Sequence, residues 1–582
     1  MRSAAVRSIE GTAPWCAATS VRGRSWLYPT VLGPADWTGD VSATAVDIAR
    51  RRAVEDLGSF FRPTLAATMP DPSRIPGMES AVRSFCDALL AGTSMAVYGD
   101  YDVDGATSVA LVVRYLAELG VDCQLYIPDR LKEGYGVSKL GLDRLADRGV
   151  RYVLVVDSGT NAVDELAHAS SRNIGMIVLD HHEPGVAPVP GAVNPKCSSQ
   201  SRSWDYLCSA GLVFLFLVGV NRELEQRGWF TDGAAIKPDL RRFLGLVALG
   251  TVADVVPLVG LNRAYVATGL GRMTDLTGMR ALIEATDEHA FSVRSLGFVF
   301  GPCINAAGRI DDTSLGARLL ITEDLDEAAR LAQRLVEINR ERQSLQQLAA
   351  TAAVRAGVEG NVNASPVVVM DDPEWHPGIV GLTASRLRET FDRPAIVIGA
   401  GGKGSCRSVE GFDIGAAILA AKEAGILIAG GGHPMAAGFT VEESRIQELA
   451  DFIGLRATDL IRPPAQVDLV VEVGRLTPLL SGELEPLAPF GSGNPQPRIA
   501  VVGGLVASVR ELSGRHLKVM LRGPSGETEA ILFDGVGTPF GESLRAAEGK
   551  RADLLGTVRI DNYGGIERAV LRPEDAMVSG LA

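Results

Sequence analysis

Met95-Ala-Val-Tyr98-Gly-Asp100-Tyr-Asp102-Val-Asp104-Gly105 is an apolar run that ends in three alternating carboxylates. The four apolar residues bounded by glycine read as a buried strand, and Gly99 to Gly105 as a turn. Thr107 to Leu119 follows with helical periodicity. Working outward, the same pattern recurs. Tyr152-Val-Leu-Val-Val156 is a second strand that runs into Asp157, and Ile174-Gly-Met-Ile-Val-Leu179 a third that runs into Asp180. Strands alternating with helices imply an α/β fold with a parallel sheet. In such sheets ligands gather beyond the carboxyl ends of the strands, and each acidic cluster is expected there.

Further along, Ala210 to Val220 reads as a buried helix. Ile321 to about Gly357 lacks proline and places Leu325, Ala328, Ala329, Ala332, Leu335, Val336 and Ile338 at helical spacing. One or two long helices are expected there. A second α/β unit follows: strand Val367–Met370, a helix near Ile379 to Thr390, strand Ala395–Ile398 and two Gly-rich turns. Pro463-Pro464 breaks the pattern, and Val501 to Leu571 suggests a small closed barrel. The expected architecture is two α/β lobes joined by a long helix, then a C-terminal β-barrel. The expected boundaries are a disordered tail at 1–54, a first lobe at 55–320, the connector at 321–358, a second lobe at 359–462 and the barrel at 463–582.

The 582-residue length fits about three or four domains. A net charge of −13 argues against a protein held on nucleic acid by overall charge, though local basic channels are compatible with it. The seven cysteines form no C-x-x-C pair, which favours a reducing cytoplasm over a disulfide framework and offers no zinc site. No apolar run reaches the roughly 18–20 residues that span a bilayer.

Asp100, Asp102 and Asp104 repel one another strongly unless cations neutralise them. A calcium loop of the EF-hand type would need Glu at its twelfth position, where Leu111 stands. Asp157 alone is weak evidence, since a strand-end Asp often caps a helix. Asp180-His181-His182 places paired imidazoles in a chain with only seven histidines. Asp254, in Thr251-Val-Ala-Asp254-Val-Val-Pro257, is expected at a fourth strand end and is costly to bury unpaired. An oxygen-rich set with one or two histidines suits Mn²⁺ or Mg²⁺, and two such ions sharing a carboxylate would clamp a phosphate.

These motifs, Tyr98-Gly-Asp-Tyr-Asp-Val-Asp-Gly-Ala-Thr107, Val155-Val-Asp157, Asp180-His-His-Glu-Pro184 and Gly250-Thr-Val-Ala-Asp254, resemble the four motifs of the DHH phosphoesterase superfamily. Tyr135-Gly136, Asn194-Pro195, Asn305-Ala-Ala-Gly-Arg309 and Trp375-His-Pro-Gly378 are similar to its single-strand DNA exonucleases. Gly402-Lys-Gly-Ser-Cys-Arg-Ser408 and Gly430-Gly-Gly-His433 resemble a DHHA1 substrate lobe. Pro489-Phe-Gly-Ser-Gly-Asn-Pro495 and Gly514-Arg-His-Leu-Lys518 resemble an OB region. The resemblance implies that Asp102 and Asp104 each hold one metal, that Asp157 bridges the two, and that His181 and Asp254 complete the second site. Asp100 is a ligand or a partner of one. His182 would contact the scissile phosphate, and Asp180 would orient a histidine ligand. Lys403, Ser405, Arg407 and Ser408 would clamp phosphate from a Gly-rich turn, and His433 would stabilise charge in the transition state. Tyr135, Asn305, Arg309 and His376 complete the expected substrate contacts. Arg515, His516, Lys518, Arg559 and Tyr563 are barrel candidates for a DNA strand.

Two residues depart from the pattern. Cys303 stands where an Arg is usual, so a phosphate contact is expected to be missing or moved to Arg309. Cys406 stands where Gly is common and is expected to narrow the clamp. The implied activity is 5′→3′ hydrolysis of single-stranded DNA to mononucleotides in recombination and repair. The implied protein is a cytoplasmic monomer with two Mn²⁺ or Mg²⁺ ions, working with a helicase and a single-strand-binding protein. Two other readings stay open: a phosphodiesterase of oligonucleotides or cyclic dinucleotides, and an inactive DNA-binding scaffold.

Overall fold

The computed structural model describes residues 19–30, 39–129, 133–134, 136–198, 203–231, 236–288, 290–310, 312–359, 365–458, 460–563 and 565–580. The chain forms two compact units, residues 58–341 with 489–495, and residues 1–57 with 342–488 and 496–582. Chain order begins in the latter with strand β1 (Trp26–Leu27) and helix α1 (Ala43–Arg51).

The unit of residues 58–341 is built on a parallel sheet of β2 (Met95–Tyr98), β3 (Cys123–Tyr126), β4 (Tyr152–Val156) and β5 (Gly175–Leu179), in the order β3-β2-β4-β5. β2 and β4 are buried along their whole length, as continuous apolar strands covered on both faces must be. Helix α2 (Val103–Glu118) begins earlier than its periodicity suggests, because the Asp102 carboxylate caps it by accepting from Gly105 N–H at 3.0 Å. Helices α3 (Ser209–Gln226) and α4 (Leu244–Ala253) fill the core beside it. Helix α5 (Gly301–Ile310) lies over the Asp100–Asp104 loop, with Gly308 against Tyr101. Pro489–Pro495, expected with the barrel, packs in this unit: Ser492 C=O accepts from Leu258 N–H at 2.7 Å and Pro489 C=O from Arg263 at 3.2 Å.

The connector is one helix, α6 (Leu325–Glu359), 35 residues long. Ala328, Ala332, Leu335, Val336 and Ile338 are buried along it, while Leu325 and Ala329 are exposed.

Among the described residues the other unit holds a five-stranded sheet, a six-stranded sheet and an N-terminal segment joined by a two-stranded sheet. Strands β6 (Val368–Asp371), β7 (Ala395–Ile398), β8 (Lys403–Arg407), β9 (Leu427–His433) and β10 (Ala436–Val441) are ordered β6-β7-β8-β10-β9, with α7 (Pro377–Phe391) packed on them. Both expected Gly-rich turns are strands here. The barrel consists of β13 (Ile499–Leu512), β14 (His516–Gly523), β15 (Gly526–Leu532), β16 (Arg551–Tyr563) and β17 (Ile566–Val578). It closes through β13 against β16. Strand β12 (Leu469–Glu472) extends it, after β11 (Ala465–Gln466). The expected tail is in part structured. β1 pairs with β11, Trp26 Nε1–H donates to Asp575 at 3.0 Å, and α1 buries Ala45, Val46, Ile48 and Ala49. Arg52 makes a forked ion pair with Asp468 at 3.1 and 2.9 Å. No described helix is long and apolar enough to cross a membrane.

Candidate metal centre

Three parallel strands deliver acids to one end of the sheet of residues 58–341: β2 leads into Asp100, β4 into Asp157 and β5 into Asp180. Asp104 sits one residue inside α2, so a turn of helix and not a strand aims it. Gly105 makes this possible, since a Cβ there would lie 2.4 Å from the Asp100 carbonyl oxygen. Asp254 corrects the expectation of a fourth strand end: it is the C-cap of α4.

His181 stands at the middle of the cluster. Its Nε2 lies 3.4 Å from Asp157, 3.6 Å from Asp254 and 3.7 Å from Asp104. Ligand atoms of Asp104, His181 and Asp254 lie within 4.8 Å of one another, as do those of Asp157, His181 and His182, and of Asp100, Asp102 and Asp157. Asp157 therefore belongs to two of these groups. It is fully buried, and neither of its carboxylate oxygens accepts a hydrogen bond from a described residue. Its backbone is left-handed (φ 60°), a conformation uncommon outside glycine that Asp and Asn adopt more readily than other residues.

The electrostatics match this crowding. Burial, then the charge of Asp104, pushes the Asp157 carboxyl well above its usual range. Burial and Asp102 lift Asp104 to about 6, and burial and Asp104 lift Asp254 to about 8. Burial and the neighbouring His182 hold His181 down to about 3, so its imidazole is neutral and has a lone pair to give. A buried carboxylate without a described donor, crowded by further carboxylates beside a neutral imidazole, fits hard divalent cations such as Mn²⁺ or Mg²⁺.

Asp180 does a different job. Its Oδ1 accepts from His181 N–H (2.7 Å), His182 N–H (3.2 Å) and His182 Nδ1–H (2.7 Å), and its Oδ2 from Thr160 N–H (2.9 Å). It therefore orients the ring of His182 and not, as expected, that of the ligand candidate His181. Burial pushes the Asp180 carboxyl up, but the His182 and Thr160 bonds outweigh it and hold it well below the usual range. Against burial, the same bond raises His182.

In the other unit, Lys403, Ser405 and Arg407 alternate along β8 and share one face. Register places Arg407, Ala436 and His433 side by side across β8, β10 and β9, and Ser405, Gly438 and Gly431 next to them. The first turns of α7 come down on this face: a Cβ on Gly381 would lie 3.1 Å from both Arg407 Nη2 and Ser405 Oγ. His376 caps α7, its Nδ1 accepting from Gly378 N–H at 3.0 Å. An arginine, a hydroxyl and a helix N-terminus around bare backbone have the chemistry that suits an anion. Ser408 is not part of it; it is buried and donates to Phe412 C=O at 2.6 Å. Lys403 donates to Thr440 at 3.1 Å. Asn305 is half-buried on α5. Tyr135 and the side chains of Arg309 and Tyr563 lie outside the described residues.

Family models match the chain in series: the DHH family N-terminal domain at residues 94–251, the DHHA1 domain at 364–458 and the RecJ OB domain at 467–575. The single-stranded-DNA-specific exonuclease RecJ of Salmonella typhimurium is 35% identical over 488 residues, 80% of this chain and 83% of that one. The chain belongs to the RecJ family. The Bacillus subtilis RecJ is 33% identical over 541 residues, and this chain spans 66% of its length. Thermus thermophilus RecJ, solved in complex with Mn²⁺, superposes with a TM-score of 0.78 at 29% identity, covering 95% of this chain and 79% of that one. Its Mg²⁺ complex gives 0.70 at 27% identity.

Within this RecJ-family chain both cysteine departures face inward. Cys406 is fully buried on the core side of β8, opposite Ser405 and Arg407, so it does not narrow the anion surface. Cys303 is buried and its Sγ accepts from Asn339 at 3.3 Å. Among the barrel candidates, Arg515 pairs with Asp534, His516 Nδ1 accepts from Asp534 N–H at 2.8 Å and Lys518 pairs with Glu529 at 2.7 Å. Each of the three therefore has a partner within the barrel. Sequence reasoning missed the amides of Ser209 and Ala210 at the start of α3, which donate to Asp104 at 2.7 and 2.9 Å. Backbone donors leave no mark in residue identity.

A carboxyl whose value is raised by folding takes up a proton on folding. Its stabilisation is full below about pH 4 and is lost as pH climbs through about 6 for Asp104 and about 8 for Asp254. The metal-free protein is therefore expected to lose thermal stability over that window. Cation binding needs the deprotonated carboxylates. The rise in Tm given by Mn²⁺ over EDTA should thus be larger near pH 8.5 than near pH 6. Equal increments at both would refute the competition.

Proposed function

We propose that this chain hydrolyses phosphodiester bonds of single-stranded DNA as an exonuclease, from the 5′ end and releasing mononucleotides, in recombination and repair. The observation that carries it is Asp157, buried, without a hydrogen-bond donor among the described residues, and shared between two groups of ligand atoms. The family match and the Mn²⁺ and Mg²⁺ complexes of T. thermophilus RecJ support the same reading.

Asp102, Asp104, Asp157, His181 and Asp254 would hold two divalent ions, with Asp157 between them and Asp100 beside Asp102. Bound there, two divalent ions would neutralise the carboxylates, polarise the phosphoryl group and lower the pKa of a water nucleophile. His182 acts on the substrate. With Nδ1–H fixed on Asp180 and the ring's proton affinity raised, its Nε2–H donates to a phosphoryl oxygen or to the departing 3′-oxygen. Arg407, Ser405 and the start of α7 bind a phosphate of the strand, with Lys403 and His433 at the edges of that surface. Asn305 and His376 add polar contacts. The chain works as a cytoplasmic monomer beside a helicase and a single-strand-binding protein. The full set of carboxylates weighs against an inactive scaffold, and the barrel weighs against a substrate of two nucleotides.

The test is digestion of single-stranded DNA labelled separately at each end, with Mn²⁺ and a duplex control. Early mononucleotide release from the 5′ label, with duplex spared, is expected. Release from the 3′ label would overturn the polarity, and no cleavage despite DNA binding would favour the scaffold. Ca²⁺ prefers more ligands at longer, less regular distances than Mn²⁺ or Mg²⁺. Cleavage is therefore expected to fall by on the order of 10²-fold or more when Ca²⁺ replaces Mn²⁺, since small misplacements are costly in rate. A Ca²⁺ rate equal to that with Mn²⁺ would count against the two-ion mechanism.

A further inference from the structure

Glu133 is a carboxylate that the mechanism above does not use, although its side chain is only 2% exposed. Its Oε2 accepts from Tyr126 O–H at 2.8 Å and from Ser138 O–H at 2.9 Å. Its Oε1 accepts from Arg144 at 3.0 Å and from Asp129 N–H at 3.3 Å. Arg144 also donates to the Tyr126 oxygen at 3.0 Å. So many donors on one carboxylate are what an anion needs when it is taken out of water.

The donors come from several elements: the end of β3 (Tyr126), the segment that leaves it (Asp129), and the cap and body of the helix Lys139–Asp147 (Ser138, Arg144). Ser138 N–H donates to Tyr98 at 3.1 Å, and Tyr98 O–H donates to Gly136 C=O at 3.2 Å, tying the same segment to the end of β2. Gly136 (φ 80°) thereby lies against Ser158, with 3.7 Å between the Ser158 Cβ and the place a Cβ on Gly136 would take. Ser158 follows Asp157 in sequence, and its hydroxyl is buried with no described hydrogen-bond partner. Glu133 therefore sits at the head of a chain of contacts that ends on the residue next to the shared carboxylate.

We infer that Glu133 is a positioning residue: its carboxylate holds the Gly136–Ser138 segment against the Asp157–Ser158 turn, and so sets where a DNA strand meets the metal centre. The inference rests on the proposed nuclease reading. Glu133 touches neither a candidate ligand nor the reacting atoms, so its loss should act on turnover and leave metal affinity alone.

The test uses the full chain and its Glu133→Gln, Glu133→Asp and Ser138→Ala variants. Mn²⁺ affinity is followed by calorimetry, and kcat and KM are measured on a 5′-labelled single-stranded oligonucleotide. Glu133→Gln is expected to lose on the order of 10²-fold in kcat/KM, the usual cost of an ångström-scale misplacement, with Mn²⁺ affinity within about twofold. Glu133→Asp should recover part of that loss. Ser138→Ala, which removes one donor and keeps the charge, should fall between and serves if Glu133→Gln does not fold. Parental kcat and KM in both Glu133→Gln and Ser138→Ala would overturn the inference, as would a parallel fall in Mn²⁺ affinity. A parent chain that binds Mn²⁺ but cleaves no single-stranded DNA would remove the nuclease reading itself, and the variants would not be needed to show it.

Discussion

Asp157→Asn is expected to abolish cleavage, by on the order of 10³-fold or more, while leaving the metal-free fold as stable as the parent or more stable. The two halves share one cause. Several kcal/mol of transition-state charge stabilisation depend on the bound cations, and each factor of ten in rate is about 1.4 kcal/mol. The carboxylate shared between two ligand groups is the one whose loss disturbs both. Without cations the same carboxylate is a burden: it is fully buried, accepts no described hydrogen bond, and stands among Asp104, Asp102, Asp100 and Asp254, whose charges oppose its ionisation. Replacing it with a neutral side chain of the same shape removes that repulsion. Asn is the right probe because it tolerates the left-handed φ of 60° better than Ala, whose Cβ strain there would lower stability for an unrelated reason. Asp157→Ala should be equally inactive but less stable than Asp157→Asn. Measuring single-strand cleavage with Mn²⁺ and Tm with EDTA on both variants checks the pair. An active Asp157→Asn would remove Asp157 from the centre, and a large drop in its metal-free Tm would mean the carboxylate has a structural partner.

Much of this site was legible because metal-binding carboxylates break an otherwise apolar pattern. Asp100, Asp157 and Asp180 each end an uninterrupted apolar strand, and nothing in folding alone calls for charge there. Periodicity was a poorer guide where an acid serves two roles. Asp102 caps α2 as well as joining the cluster, so the helix starts at Val103 and the apparent turn ends early. Asp254 looked like a strand end because Leu244–Val252 is apolar all round. A helix buried on every side leaves no stripe by which to tell it from a strand. The glycines of Gly402–Ser408 and Gly430–His433 suggested turns, since glycine is depleted in strands. Here Gly431 leaves the face beside Arg407 and His433 open, while Gly404, Gly430 and Gly432 make room on the opposite face for Phe439, Ile418 and Ala437. The surroundings of the barrel candidates were not legible for another reason: whether Arg515 or Lys518 has an ion-pair partner depends on Asp534 and Glu529, which no local pattern brings beside them. The pairing of the described part of the N-terminal segment was hidden in the same way, because its partners, Ala465, Asp468 and Asp575, lie more than 400 residues away.

Gly250→Ala is expected to weaken Mn²⁺ binding and cut turnover by on the order of 10²-fold, although it would improve the helix considered alone. Gly250 lies within α4, one turn before Asp254, and in a helix interior Ala is favoured over Gly by about 1 kcal/mol. At this position the added Cβ would stand 2.6 Å from Thr107 Oγ1, 2.8 Å from Ala210 Cβ and 2.8 Å from Asp104 Oδ1. None of the three can move freely. Thr107 donates to Val103 C=O at 2.8 Å, Ala210 is fixed in the first turn of α3, and Asp104 is held by the Ser209 and Ala210 amides. Overpacking of this kind typically costs about 1–3 kcal/mol, enough to cancel the helix gain and reverse it. The easiest relief is a shift of Asp104 toward the cluster or of α4 away from it, and either one moves a candidate ligand. Gly271→Ala is the control, since a Cβ there meets nothing within 4 Å and should leave affinity and turnover unchanged. Calorimetric Mn²⁺ titration and thermal melts of the two variants decide the matter. If Gly250→Ala binds Mn²⁺ like the parent, then α4 and α2 can part by a few tenths of an ångström without disturbing Asp104, and the close contact at Gly250 serves packing alone.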